Sequence, residues 1–314
     1  MKAITYKAFG GTDVLEITDE PQPVIQADQV LVHVKAVAIN PLDWKIRKGE
    51  MKLMSGSRFP KHTGTDFAGI VVAIGSSVTS VKEGDAVFGT VKNNMKEGVL
   101  GEYVAVPSTL VWKKPVAINF VQAASIPTVG AAAVMALQKI GKTTTQSRVL
   151  VNGAAGGFGM FLLQLLKRNG ANTTAVAATH ALSTVKQWGA NSVVDYTKEN
   201  VLTKGITYDA VVDLSGKMGY KKAQQLMNVN SVFIDPIPNP VDILLTPIKN
   251  LFSSKKHVVL LSTPARETID FLVKAINDGL DIEVSNVFPF AQSKEAYDYA
   301  EKGGYIGKVA IDVN

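Results

Sequence analysis

Residues 148–167 (RVLVNGAAGGFGMFLLQLLK) constrain this chain more than any others. Val149, Leu150 and Val151 make a short apolar run of the kind a buried strand needs, and it stops at Asn152. Gly153, Gly156, Gly157 and Gly159 follow at once, then Met160, Leu162, Leu163, Leu165 and Leu166 at helical spacing. Glycine stands where backbone must turn sharply or lie against a ligand, because a Cβ would clash. The first N–H groups of the next helix lack partners within it and carry partial positive charge, so a pyrophosphate can rest on them. Strand, glycine turn and helix in that order predict a dinucleotide cradle made by Gly153, Ala155, Gly156, Gly157, Phe158 and Gly159. A tight turn without a ligand is the competing reading.

The grammar around this segment predicts an α/β chain. Before residue 117, β-type runs at 30–37, 68–74, 85–89 and 102–106 alternate with glycine, proline and aspartate turns. From Asn119 onward, strand candidates at 149–151, 173–178, 192–195, 210–214, 232–234 and 258–261 alternate with helix candidates at 158–169, 181–188 and 221–227. That alternation implies a doubly wound, six-stranded parallel sheet of the Rossmann kind. A helix at 267–277 and strands at 282–288 and 308–313 return to the first grammar. The expected division is residues 1–117 with 266–314 as one β-rich domain, and 118–265 as the dinucleotide-binding domain.

Composition removes several alternatives. With 46% hydrophobic and 19% charged residues the chain is globular rather than disordered. Its formal net charge of +6 is scattered without a long basic run, which argues against nucleic acid and suits an anionic cofactor. The chain has no cysteine, so disulfides, thiolate nucleophiles and Cys-ligated metals are excluded. The opening MKAITYKAFGG lacks the apolar core of a signal peptide. The apolar stretch at 121–137 is short and interrupted by Gln122, Ser125, Pro127, Thr128 and Gly130, so it reads as a buried helix. These features predict a cytoplasmic protein without membrane association.

The nucleotide is read at the end of the second parallel strand. NAD-selective folds place an Asp or Glu there for the ribose 2′-hydroxyl. Here the strand ends in Ala178, Thr179 and His180, and no carboxylate follows until Asp195. Thr179 and His180 offer hydrogen-bond donors to a 2′-phosphate. Ser183 and Lys186 share a helix face, and Tyr196 lies at the same sheet edge. The cofactor expected is NADPH. A solvated surface lysine is the competing reading of Lys186.

The ordered set NPLDWKIRKG (40–49), GTDFAGIVVAIGSSV (64–78), GEYVAVP (101–107), ASIPTVGAAAVMAL (124–137), GAAGGFG (153–159), WGANSVVDY (188–196), YDAVVDLSG (208–216) and GKVAIDV (307–313) resembles the zinc-independent quinone oxidoreductase branch of the medium-chain dehydrogenase/reductase superfamily. The tail segments SKKHVVLL, TIDFLVKAINDG and GKVAIDV are most similar to the chloroplast-envelope group of that branch and its bacterial relatives. The resemblance spans nearly the whole chain and implies a GroES-like catalytic domain beside the Rossmann domain. It implies NADPH-dependent reduction of the C=C bond of α,β-unsaturated carbonyls, with quinones as alternative acceptors. Zinc-dependent relatives bind metal through a Cys and a GHE motif, and the corresponding places here look like Asp43 and Gly64-Thr65-Asp66. With His33 and His62 the only N-terminal histidines, no metal ligands are assigned.

The chain departs from the family pattern in places. Ala132 stands where a threonine beside the nicotinamide is usual, leaving Thr128 as its substitute. Val229-Asn230-Ser231 replaces a glycine turn before the fifth strand, and Met51 stands where enoyl-thioester reductases place a tyrosine. Lys308 of the closing motif is counted with Thr128 among the cofactor contacts.

Hydride transfer to an enone leaves an enolate that needs hydrogen-bond donors and a proton. Asn40 is the first candidate, since its amide donates without titrating; an Asn-Pro turn is the competing reading. Asp43 is expected to orient neighbours and Lys45 to polarise the carbonyl, against the alternative of solvated or paired charges. The expected partner is a small enone or quinone, with a homodimer left open. A non-enzymatic NADPH sensor or membrane-surface protein is the rival class, prompted by segment 241–256 (VDILLTPIKNLFSSKK), which a cleft wall or subunit interface also explains. Cleft shape is expected to depend on the loops at 51–60 and 92–100.

Overall fold

The apolar run around Leu150 lies inside a parallel sheet in a computed structural model of the chain, in which residues 1–91, 97–237 and 240–313 are described. Residues 92–96, part of one loop expected to shape the cleft, lie outside the described residues. The chain divides into two compact units: Met1–Thr128 with Pro264–Gly279 and Glu283–Asn314, and Val129–Thr263 with Leu280–Ile282.

The first unit begins with β1 (Lys2–Tyr6), β2 (Glu16–Asp19), β3 (Gln29–Ala38), α1 (Pro41–Arg47), α2 (Lys52–Ser55) and β4 (Lys61–His62). It continues with β5 (Asp66–Ile74), β6 (Ala86–Thr90), β7 (Tyr103–Pro107), β8 (Val111–Lys113) and α3 (Phe120–Ala124). β2, β1 and β4 form a small antiparallel sheet, while β3 pairs antiparallel with β5 and β7 in a larger one. Val30, Val32, Val34 and Val37 of β3 are buried, which its β-branched composition suits.

The second unit follows α4 (Pro127–Ile140), which starts in the first. It comprises β9 (Arg148–Asn152), α5 (Gly157–Arg168), β10 (Asn172–Ala177), α6 (Leu182–Gln187), β11 (Ser192–Asp195) and β12 (Tyr208–Asp213). Then come α7 (Gly219–Ala223), β13 (Met227–Asp235), α8 (Pro240–Leu251) and β14 (Lys256–Val259). The six strands are parallel in the order β11-β10-β9-β12-β13-β14, the doubly wound arrangement. Leu150, Val151, Val211 and Val212 are fully buried, because helices cover both faces of such a sheet. The chain then returns to the first unit through α9 (Arg266–Asn277), β15 (Val284–Pro289), α10 (Ser293–Lys302) and β16 (Lys308–Asp312), with β16 antiparallel to β3. Among the described residues no helix is long and apolar enough to cross a membrane.

The units differ from the expected division at their edges. Residues 118–128 belong to the first unit because α3 packs against β3, β5 and β6, and Thr128 bonds to Asp66. The single helix expected at 121–137 is two, since Asn119 caps α3 and α4 begins afresh at Pro127. The helix expected at 221–227 stops at Ala223, because Gln224–Leu226 tightens into a 3₁₀ turn and Met227 is already in β13. Asn230 takes φ +63° where the family uses glycine; asparagine is the side chain that best tolerates this left-handed conformation.

Candidate cofactor and catalytic site

At the carboxyl end of β9, three glycines of the turn answer to different constraints. Gly153 has φ +79°, and a Cβ there would lie 2.9 Å from Ser215 N, so the turn itself requires glycine. A Cβ on Gly159 would sit 2.1 Å from Ala154 O, so the approach of helix to turn requires it too. Gly156 has φ −81°, which any residue adopts, and its Cβ would meet nothing within 4 Å. The fold makes no demand for glycine at 156. Gly156 is also the N-cap of α5, with no side chain capping the helix. The open amides and the missing Cβ suit a pyrophosphate, so these residues fit a dinucleotide. Ala155 and Phe158 flank this opening half-buried, and Gly157 is buried at the helix start.

Asp213, buried at the end of β12, organises the neighbouring turn. Its Oδ1 accepts from Asn152 Nδ2 at 2.8 Å and Ser215 Oγ at 2.6 Å, and its Oδ2 from Met218 N at 2.9 Å. Its place in the DLSG motif was legible, but its partner Asn152 lies 61 residues away and carried no signal in the chain.

The second-strand end differs from expectation. Asp195 lies beside Ala177 in the β10–β11 register, so a carboxylate is present at that edge, supplied by the adjacent strand. Thr179 Oγ1 donates to Asp195 Oδ2 at 2.5 Å, and Thr197 donates to Oδ1 from Oγ1 at 2.7 Å and from N at 3.0 Å. The Thr179 hydroxyl donor, then the Thr197 hydroxyl, hold the Asp195 carboxyl down at about 2. The Thr179 hydroxyl is therefore engaged by Asp195 rather than free for a 2′-phosphate. His180 follows Thr179 in a 3₁₀ turn, and Ser183 and Lys186 are exposed on α6.

Beside these strand ends a concavity of about 520 Å³ is lined by Asn152, Tyr196, Lys198, Lys217, Met218 and Lys222, among others. Ser183 and Lys186 are not among its lining residues; the cations of this concavity are Lys217, Lys222 and Lys198, the last paired with Asp195 at 3.6 Å, and Glu199 lines it as well. The sequence reading missed all three because Lys198 follows β11 while Lys217 and Lys222 follow β12, and they converge only at the sheet edge. Tyr196, one of the expected residues, lines it and is 62% exposed.

In the first unit, Asn40, Asp43, Thr128 and Lys308 come together around Asp66. Asp43 reaches back from the first turn of α1 to accept from Asn40 N at 2.8 Å. Asn40 Nδ2 donates to Thr65 Oγ1 at 3.0 Å and Asp66 Oδ2 at 2.9 Å, and its Oδ1 accepts from Lys308 Nζ at 2.6 Å. Lys308 Nζ also donates to Ile39 O at 2.6 Å. Thr128 donates to Asp66 from Oγ1 at 2.8 Å and from N at 3.0 Å. Burial pushes the Asp43 and Asp66 carboxyls above the usual range and the Lys308 ammonium below it, each opposed by the other's charge.

This arrangement corrects three expected roles. Both amide hydrogens of Asn40 are taken and the residue is 1% exposed, so it is not a free carbonyl donor. Lys308 is 3% exposed and bonded inside the cluster, so its ammonium is not presented to a cofactor. The Thr128 hydroxyl is directed at Asp66. Lys45 is half-buried on α1 and takes no part in the cluster.

The donor set does not suit a tetrahedral zinc. Asp66 already accepts on both oxygens, cysteine is absent, and among the described residues no three His, Asp or Glu side chains are grouped to hold a metal ion. His62 is paired with Glu20 at 2.7 Å, and His33 is stacked on Tyr103.

Two family profiles match the chain: Alcohol dehydrogenase GroES-like domain over residues 26–116, and Zinc-binding dehydrogenase over residues 188–311. The chain is 31% identical to the chloroplast envelope quinone oxidoreductase homolog of Arabidopsis thaliana, over 99% of this chain and 98% of that protein. It is 33% identical to the chloroplastic NADPH-dependent alkenal/one oxidoreductase of the same plant, over 99% of this chain and 79% of that protein. The structure of the quinone oxidoreductase from Coxiella burnetii superimposes with a TM-score of 0.91 at 28% identity, covering 100% of this chain and 99% of that one. These relatives overturn the expected cytoplasmic location, since both plant proteins are named for the chloroplast.

Proposed function

The chain belongs to the quinone oxidoreductase branch of the medium-chain dehydrogenase/reductase superfamily, and from that membership we propose that it reduces the C=C bond of α,β-unsaturated carbonyls with NADPH and without a metal ion. The carrying observation is the open cradle at Gly156, a glycine that the fold does not need. The backbone from Gly156 to Gly159 holds the pyrophosphate, and Lys198, Lys217 and Lys222 supply positive charge for the 2′-phosphate. Bound NADPH would supply the hydride that the β-carbon accepts, and a proton taken from water at the α-carbon would complete the saturated carbonyl. Charge then develops on the carbonyl oxygen and calls for a cation or donor. We assign that role to Lys45, which makes none of the cluster's hydrogen bonds, while Asn40, Asp43 and Lys308 hold the junction of β3 and α1 in place.

Enone reduction is favoured by the likeness to an alkenal/one oxidoreductase, and quinone reduction is the second reading because two relatives are named for it. Following NADPH oxidation against 2-alkenals, vinyl ketones and menadione separates them. The expected result is a kcat/KM about tenfold or more higher for enones, equivalent to about 1.4 kcal/mol in the barrier. Turnover of quinones alone supports the second reading. NADPH binding without turnover of any acceptor overturns both and leaves the non-enzymatic sensor.

The three lysines give a separate prediction. Replacing Lys217 and Lys222 together with alanine weakens NADPH about tenfold or more while NADH binding stays nearly constant, because only NADPH offers a 2′-phosphate. Lys186→Ala, by contrast, leaves the preference for NADPH intact. Titration of each variant by nicotinamide fluorescence reads both, and an equal loss for the two nucleotides in the double variant rejects the assignment.

A further inference from the structure

α8 is amphipathic in the reverse sense: its polar side faces the protein and its apolar side faces solvent. Thr246 is buried, with Oγ1 3.2 Å from His257 Nδ1. Asn250 donates from Nδ2 to His257 O at 2.6 Å and accepts from His257 N at 2.8 Å through Oδ1. These contacts fasten the helix to β14, where His257 is buried against the Tyr220 ring at 4.8 Å. At about 100° per residue, Leu244, Leu245, Ile248, Leu251 and the following Phe252 fall on one arc roughly 120° wide, centred opposite Thr246 and Asn250. Their exposures are 74%, 40%, 58%, 77% and 88%. An ordinary surface helix buries such an arc. Scattered exposed leucines are common, but five large apolar side chains on one face of one helix mark a contact surface.

Charge says what kind of contact. Segment 242–256 carries the exposed Lys249 and Lys256, and Lys255 turned onto Gln224 O at 2.7 Å, against the single acid Asp242. Lys249 borders the apolar arc and is exposed, and Lys256 donates to Asn250 O at 2.6 Å, which holds its charge at the C-terminal end of the helix. We propose that this face docks on an anionic lipid surface, with the apolar arc among the acyl chains and Lys249 and Lys256 at the level of the phosphates.

A second copy of the chain fits the face less well. A helix of 12 residues is about 18 Å long, so one side of it covers roughly 200 Å², and the about 800 Å² per partner of a stable interface would have to recruit neighbouring surface such as the edge strand β14. A two-fold contact would also set the lysines against their own copies. A lipid surface has no such area threshold and gains from both the apolar arc and the charge. Hydropathy, which argued against membrane association, detects spanning helices and is blind to a surface one.

The test is flotation of the full chain with vesicles of phosphatidylcholine, alone or with phosphatidylserine added. The expected result is partitioning about tenfold or more stronger on the anionic vesicles, reduced by high salt and by Lys249→Gln. The exposed double replacement Leu244→Ser and Leu251→Ser lowers partitioning about tenfold. Both variants keep NADPH affinity and melting temperature, since neither touches the core. No partitioning of the parent protein, or equal partitioning of the leucine variant, overturns the proposal. So does a parent dimer that the leucine variant converts to a monomer in light scattering while neither binds vesicles.

Discussion

Gly156→Val is expected to lower NADPH affinity about 100-fold or more while the protein stays folded. The valine Cβ enters space that no atom of the chain occupies within 4 Å, and φ −81° is ordinary for valine. The cost to the fold is the poorer N-cap, about 1 kcal/mol, which for a unit of this size shifts the melting temperature by about 4 °C. A bound pyrophosphate, however, needs that space and the amides beside it. Gly159→Val is the contrasting control. Its Cβ would overlap Ala154 O at 2.1 Å, so that variant fails to fold or unfolds at much lower temperature. Melting curves and NADPH titration of the pair distinguish a glycine kept for a ligand from one kept for packing. Unchanged NADPH affinity in Gly156→Val would refute the cradle.

Lys308→Met is expected to destabilise the first unit by about 3–5 kcal/mol, because it leaves two buried carboxylates without their cation. Asp43 and Asp66 are 3% and 0% exposed, and Asn40 loses the donor to its Oδ1 at the same time. The sign of the pH dependence follows from the raised carboxyls. A carboxyl whose folded pKa lies above its unfolded value favours folding below the unfolded value, and that support is lost as pH rises through the folded one. In the parent protein the Lys308 charge opposes that rise. Without it the carboxyls shift further up, so the deficit of Lys308→Met grows from pH 5 to pH 8. Adding Asp66→Asn removes one of the two charges and recovers part of the loss at pH 8. Urea unfolding of the three proteins at both pH values measures this, and a deficit independent of pH would count against a buried charge cluster.

The parallel sheet was legible because its signals are local. Alternating apolar runs and helical spacing within 149–261 reflect burial on both sides of a sheet, and the glycines mark turns within a few residues of themselves. Hydrogen bonds between distant residues were not legible. Asp195 lies 16 residues beyond Thr179 in the chain, yet the parallel register sets their side chains 2.5 Å apart. That contact reverses the inference that the second-strand end lacks an anion. Asn40 and Lys308 are 268 residues apart, and only the antiparallel pairing of β16 with β3 brings them together. The inversion of α8 escaped for a related reason: periodicity shows which residues share a face, while the choice of face toward the protein was made by Thr246 and Asn250 meeting His257.

The glycine turn after β9 shows where the boundary lies. From the chain alone came a strand, a turn and a helix with a cradle for a pyrophosphate, because steric demands on glycine and the open amides of a helix start are local properties. Tertiary structure decided which glycine the fold can spare, since only the positions of Ser215 and Ala154 separate Gly153 and Gly159 from Gly156. It decided, too, that Asn40 and Lys308 satisfy each other in a buried cluster, because burial leaves a polar group no partners except those the fold brings to it.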